Sequence, residues 1–79
     1  MSHIQLRPAA RQALLDLDKP VRRRLQRAID GLPDHAPPNA VALTGLPGAC
    51  RFEMAAHQVV YTTHDGEVMI LLIEPDERR

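Results

Sequence analysis

The sequence predicts an α+β domain in which a hairpin of two helices packs on one face of a small, mostly antiparallel sheet, in the order β-α-α-β-β-β. Three observations predict it. Two apolar stripes recur at helical spacing before Pro33, a breaker-rich stretch runs from Pro33 to Gly48, and three strand-like runs follow it. With 79 residues the chain has room for one domain, residues 1–79, and one small core.

The first element is His3-Ile4-Gln5-Leu6, which alternates polar and apolar residues and ends before Pro8. A first helix is expected from Pro8 to Leu17, because proline suits a first helical turn and Ala10, Ala13, Leu14 and Leu17 fall on one stripe. Asp18-Lys19-Pro20 breaks and restarts the chain. In the second helix Val21, Leu25, Ala28, Ile29 and Leu32 share a face, and Gly31 with Pro33 ends the pattern. A tight connection between two short helices makes an antiparallel hairpin.

The stretch from Asp34 to Gly48 carries too many prolines and glycines for a regular element and reads as an ordered loop, with Val41 to Leu43 as a short turn packing inward. Strands are then expected at Ala49 to Met54, His57 to Thr63 and Glu67 to Ile73, with His64-Asp65-Gly66 as the turn between the last two. In the second of these, His57, Val59 and Tyr61 share one face and Gln58, Val60 and Thr62 the other. The third is apolar on both faces, which suggests a central position under the helices.

Composition excludes several classes of function. The formal net charge is zero, unlike a general nucleic-acid coating protein. Charge is nonetheless unevenly placed, with Arg22, Arg23, Arg24 and Arg27 in one segment and Arg78 and Arg79 at the end. Phe52 and Tyr61 are the only Phe, Tyr or Trp residues, too few for a base-stacking platform. Cys50 is the only cysteine, so no internal disulfide forms, and cytoplasm is the expected compartment. The longest apolar stretch, Val68 to Ile73, is far short of the roughly 20 residues that span a bilayer, and no membrane association is expected.

Four local patterns in this order resemble the RelE/ParE toxins of type II toxin-antitoxin systems. They are IQLRPAARQALLDLDKPVRRRLQRAIDGL, a strand with a proline-alanine helix start and a second helix; ALTGLPGACRFEM, a leucine-glycine loop before a strand; HQVVYTTHDGEVMILLI, similar to the family's Arg-Val-Ile-Tyr strand and hairpin; and ERR after the final strand. Together they cover nearly the whole chain. The resemblance implies the RelE-like fold, a cognate antitoxin as partner in a hetero-oligomer, and action on the translation or replication machinery. In the RNA-cleaving members the first strand of the meander presents alternate basic residues. Arg51 matches one of these and Arg78 the late arginine, whereas Glu53 and Gln58 stand where the family is often basic.

RNA cleavage by the neighbouring 2′-hydroxyl needs a base for its proton, an acid for the departing 5′-oxygen and cations for the phosphate charge, with no cofactor and no metal. Strand alternation puts Arg51 and Glu53 on one face, and an antiparallel neighbour brings His57 or Gln58 near them. The expected catalytic set is therefore Arg51 and Arg78 on the phosphate, with Glu53 or His57 moving protons. Arg23, Arg27 and Arg79 are the expected nucleic-acid contacts. Each residue also has an ordinary structural role. Arg51 and Glu53 suit a surface ion pair, His57 a half-buried polar position, Cys50 simple packing, and the arginine run the solvated face of an amphipathic helix, where Arg23 and Arg27 lie one turn apart. The four histidines show no metal-ligand spacing.

Three functions compete. The first is a ribosome-dependent mRNA endonuclease that stops translation, acting on ribosome and message. The second is a ParE-like inhibitor of DNA gyrase, which needs no catalytic residues and which the lost basic positions favour. The third is a catalytically inactive relative that survives as an antitoxin-binding module.

Overall fold

The structure is a computed structural model that describes residues 3–76. Its elements are β1 (Ile4–Leu6), α1 (Pro8–Leu15), α2 (Lys19–Gly31), β2 (Val41–Ala42), β3 (Ala49–Met54), β4 (His57–His64) and β5 (Glu67–Pro75). They form one five-stranded sheet in the order β1-β5-β4-β3-β2, with the helix pair on one face. β1 runs parallel to β5, and every other pairing is antiparallel.

The helices form where the apolar stripes predict, with ends set by local chemistry. Pro8 opens α1, where its missing N–H costs nothing, and the helix stops at Leu15, two residues earlier than the stripe suggests. Leu17 still packs against the core from the connection. α2 takes in Gly31, and Pro33 then prevents its continuation. Ala10, Leu14, Leu25, Ile29 and Leu32 are buried from the helix side, against Phe52, Val59, Tyr61, Val68, Ile70 and Ile73 from the sheet.

Two expectations change. Val41 and Ala42 do not pack inward; they pair with Arg51 and Cys50 as an exposed edge strand, with Val41 46% exposed. The unpaired backbone edge of β3 outweighs the breakers around these residues. The central strand is β4 rather than the last one, because β1 adds to the far side of β5. β5 is interior all the same.

The β4–β5 ladder is interrupted. Val60 pairs with Leu72 but Tyr61 pairs with Ile70, so Leu71 is an extra, bulged residue on β5. The bulge reverses the alternation of β5: Ile70 and Ile73 both face the helices, and Leu72 and Glu74 face the other side beside Val60 and Gln58.

Both hairpin turns use two residues with left-handed backbone. At β4–β5 these are Asp65 (φ 53°) and Gly66 (φ 79°), a suitable pair. At β3–β4 they are Ala55 (φ 54°) and Ala56 (φ 63°), which carry Cβ atoms where glycine or asparagine is favoured. The turn is tied from outside. A ring nitrogen of His57 lies 2.8 Å from the Ala55 carbonyl oxygen, and the Asp76 N–H donates to the Ala56 carbonyl at 2.8 Å. Replacing Ala55-Ala56 by Asn-Gly is expected to stabilise the domain by about 1 kcal/mol, raising Tm by roughly 4–8 °C in a thermal melt. An unchanged or lower Tm would contradict a strained turn.

Tyr61 is almost fully buried, 2% exposed, with its ring edge-on to Phe52 at a 6.0 Å centroid distance. Burial above all, and then the neighbouring Cys50, push its phenol above the ordinary value of 10.0. The folded chain thus holds this proton more tightly than the unfolded one. The stabilisation is complete below pH 10.0 and is lost as pH rises above it toward the folded value. Tyr61→Phe is expected to flatten that alkaline decline in a series of urea melts across pH; an unaltered slope would assign the decline to other groups.

Candidate functional site

The helices cover one face of the sheet and leave the other open. Arg51 and Glu53 lie on the open face, because Phe52 between them points into the core. Gln58 stands opposite Glu53 on β4, and Glu74 stands opposite Gln58 on β5. These strands place one cation, two carboxylates and an amide on adjacent positions.

Hydrogen bonds run across all three strands. The Arg51 guanidinium Nη1 donates to Gln58 Oε1 at 3.4 Å, and Gln58 Nε2 donates to Glu74 Oε1 at 2.6 Å. The amide uses its oxygen toward the cation and its nitrogen toward the carboxylate, as their charges require. Arg51 is half-buried, flanked by Val60 on β4 and Val41 on β2, so part of its hydration is replaced by apolar neighbours. The Glu53 carbonyl accepts from Asn39 Nδ2 at 2.8 Å, which ties the loop before β2 to this part of β3.

Among the described residues, the guanidinium is held by a neutral amide rather than by a direct ion pair. Such a cation keeps its capacity to meet an incoming phosphate, while Glu53 on the same face has the chemistry of a proton acceptor. Among the described residues, no three of His, Cys, Asp and Glu gather as a metal site would need.

The remaining expected site residues are placed as follows. Alternation puts His57 on the helix side with Val59 and Tyr61, at the hairpin turn, so Gln58 rather than His57 neighbours Arg51 and Glu53. Arg23 and Arg27 are exposed on α2, on the helix side of the sheet and apart from Arg51. Arg78 and Arg79 lie outside the described residues. Glu74 is the member of the open-face group that sequence reasoning missed. Simple alternation from Val68 and Ile70 sends it to the helix side, and only the bulge at Leu71 brings it to Gln58.

No family model matches the chain, and no curated protein matches it in sequence. Solved structures match it in fold. The chain resembles RelE in an archaeal RelE–RelB complex from Pyrococcus horikoshii OT3, with a TM-score of 0.81 and 23% identity over 96% of each chain. It resembles the isolated E. coli RelE toxin with a TM-score of 0.78 and 18% identity, over 96% of this chain and 85% of that one. A RelBE toxin-antitoxin complex from Mycobacterium tuberculosis matches with a TM-score of 0.74 and 18% identity, over 91% of this chain and 87% of that one. A helix hairpin on an open-faced, mostly antiparallel sheet, superposing over nearly the full length, gives this chain a RelE-like fold.

Proposed function

We propose that this chain is the toxin of a toxin-antitoxin pair and that it cleaves mRNA on the ribosome, arresting translation. The observation that carries the reading is the Arg51–Gln58–Glu74 chain on the open face, on a fold shared with RelE toxins. Arg51 binds the scissile phosphate. Glu53 accepts the proton of the 2′-hydroxyl, whose oxygen attacks the adjacent phosphorus; the bond to the 5′-oxygen breaks, and that oxygen takes up a proton. Gln58, anchored on Glu74, holds the guanidinium in place. Arg78, three residues beyond the Pro75 end of β5 in sequence, is the second cation that the resemblance to the RelE toxins implies. The partner is a cognate antitoxin, in keeping with the neighbours that are themselves toxin-antitoxin complexes.

One observation favours a second reading. Among the described residues the open face of β3, β4 and β5 carries three carboxylates, Glu53, Glu67 and Glu74, against the single guanidinium of Arg51. That balance is unfavourable for a polyanion and suits a protein that binds DNA gyrase without chemistry. Purified chain added to message-programmed ribosomes distinguishes them. The endonuclease gives discrete cuts that need the ribosome; intact message together with inhibited gyrase supercoiling would replace the first reading by the second.

A further inference from the structure

Beside the Arg51–Gln58–Glu74 chain, the open face carries an aliphatic row. The strand registers set Val41, Arg51, Val60 and Leu72 side by side on β2, β3, β4 and β5. Val41 is 46% exposed and Leu72 39%, whereas most large apolar side chains are covered. The Leu72 end of the row lies beyond β1, which stops at Leu6, opposite Ile70.

Leu72 is in this row because of the bulge. Simple alternation from Val68 and Ile70 would turn it inward with them, and the extra residue at Leu71 sends both Leu72 and Glu74 to the open face. Glu74 there anchors Gln58, which holds Arg51. Leu72 has no polar group to offer, and it gives up the burial that the inner face would supply. Nor is it a scattered surface leucine, because Val60 adjoins it and Arg51 adjoins Val60.

The row is also narrow. Glu53, Gln58 and Glu74 bound it on the side of the β3–β4 turn, and on the other side Thr62 and Gln5 flank Met69. Such a strip is far smaller than the roughly 800 Å² that each partner of a stable protein complex covers. It has the dimensions of a single planar ring system. A strand spacing of about 4.8 Å sets Val60 one step, and Leu72 two steps, from the Arg51 strand.

We propose that Val60 and Leu72 form a shelf for the face of one nucleobase, that of a nucleotide bordering the phosphate on Arg51. The shelf rests on the reading of the chain as an mRNA-cleaving toxin, and adds which further part of the substrate the sheet holds. A nucleotide carries its anion and its flat base one sugar apart; the row carries a guanidinium and an aliphatic surface one strand apart. Phe52 and Tyr61 are 1% and 2% exposed, so aliphatic contact takes the place of ring stacking. A shelf of this kind covers a base without reading its hydrogen-bonding edges. It therefore positions the nucleotide and does not select among bases.

Ribosomes programmed with synthetic messages test this, with native chain and Leu72→Asn compared after circular dichroism has checked their fold. The cut made by the native chain is mapped first, and messages are then made with an abasic ribonucleotide on its 5′ or its 3′ side. One of the two abasic messages is expected to be cleaved about tenfold more slowly by the native chain. Leu72→Asn should lose about tenfold on the intact message and under about twofold more on that abasic one, because the contact it removes is already gone. Val60→Thr, of nearly equal volume, should lose several-fold in the same pattern, and Arg51→Ala should lose equally on both messages. Three results overturn the shelf: Leu72→Asn cleaving the intact message as fast as the native chain, a Leu72→Asn loss that is equal on intact and abasic messages, or full-speed native cleavage of both abasic messages. Each of these leaves cleavage itself standing. A native chain that makes no cut overturns the toxin reading, and the shelf with it.

Discussion

Phe52→Ala is expected to cause a large loss of stability in this domain, about 3–5 kcal/mol. Phe52 is 1% exposed, lies at the centre of the sheet's inner face opposite Val59, and meets Tyr61 edge-on. Truncating such a residue costs about 3–5 kcal/mol, from lost burial and from the cavity left behind. A chain of 79 residues has roughly 4–12 kcal/mol of stability in total, at about 0.05–0.15 kcal/mol per residue. The substitution therefore removes a quarter or more of it. Leu72→Ala is the informative contrast. Leu72 sits on the open face at 39% exposure, and its loss should cost less than about 1 kcal/mol. Urea denaturation followed by circular dichroism checks both, and equal losses for the two would mean that the helices do not define an inside and an outside of the sheet.

The second large effect concerns activity. If Arg51 steadies the phosphate charge, Arg51→Ala should lower ribosome-dependent cleavage by about 10²–10³-fold, as removal of a single transition-state donor does. Stability should change by about 0.5 kcal/mol or less, because the guanidinium makes a long, partly exposed hydrogen bond. Gln58→Leu is expected to weaken cleavage by about tenfold to a hundredfold, since Arg51 then loses its tether without losing its charge. The ordering distinguishes a positioned cation from a merely attractive surface. Were charge alone at work, Gln58→Leu would leave cleavage intact and Glu53→Gln would raise it, whereas loss of a proton acceptor at Glu53 lowers it by about 10²–10⁴-fold.

Much of this molecule was legible in one dimension because its signals are local. The two helical stripes, though not the end of α1 at Leu15, the Asp65-Gly66 turn and the bounds of β3 follow from side-chain period and turn chemistry. So does the shared face of Arg51 and Glu53, which needs nothing beyond the two-residue repeat of a strand. The positive-φ alanines at the β3–β4 turn had no such signal. Their conformation is imposed by the pairing of Met54 with His57 on either side, not chosen by alanine.

Tertiary structure alone decided the rest, because the partners are far apart in sequence and register is set by packing. The sequence by itself determined a helix hairpin, a three-strand meander and a cation beside a carboxylate on one strand. Only folding put β1 parallel to β5, drew Val41 and Ala42 onto the edge of β3, and brought Met54 beneath α2. Above all, one bulged residue at Leu71 turns Glu74 from the inner to the open face. The physical reason is that Ile70 and Ile73 both gain by facing the helices, and an extra residue between them is what lets both do so.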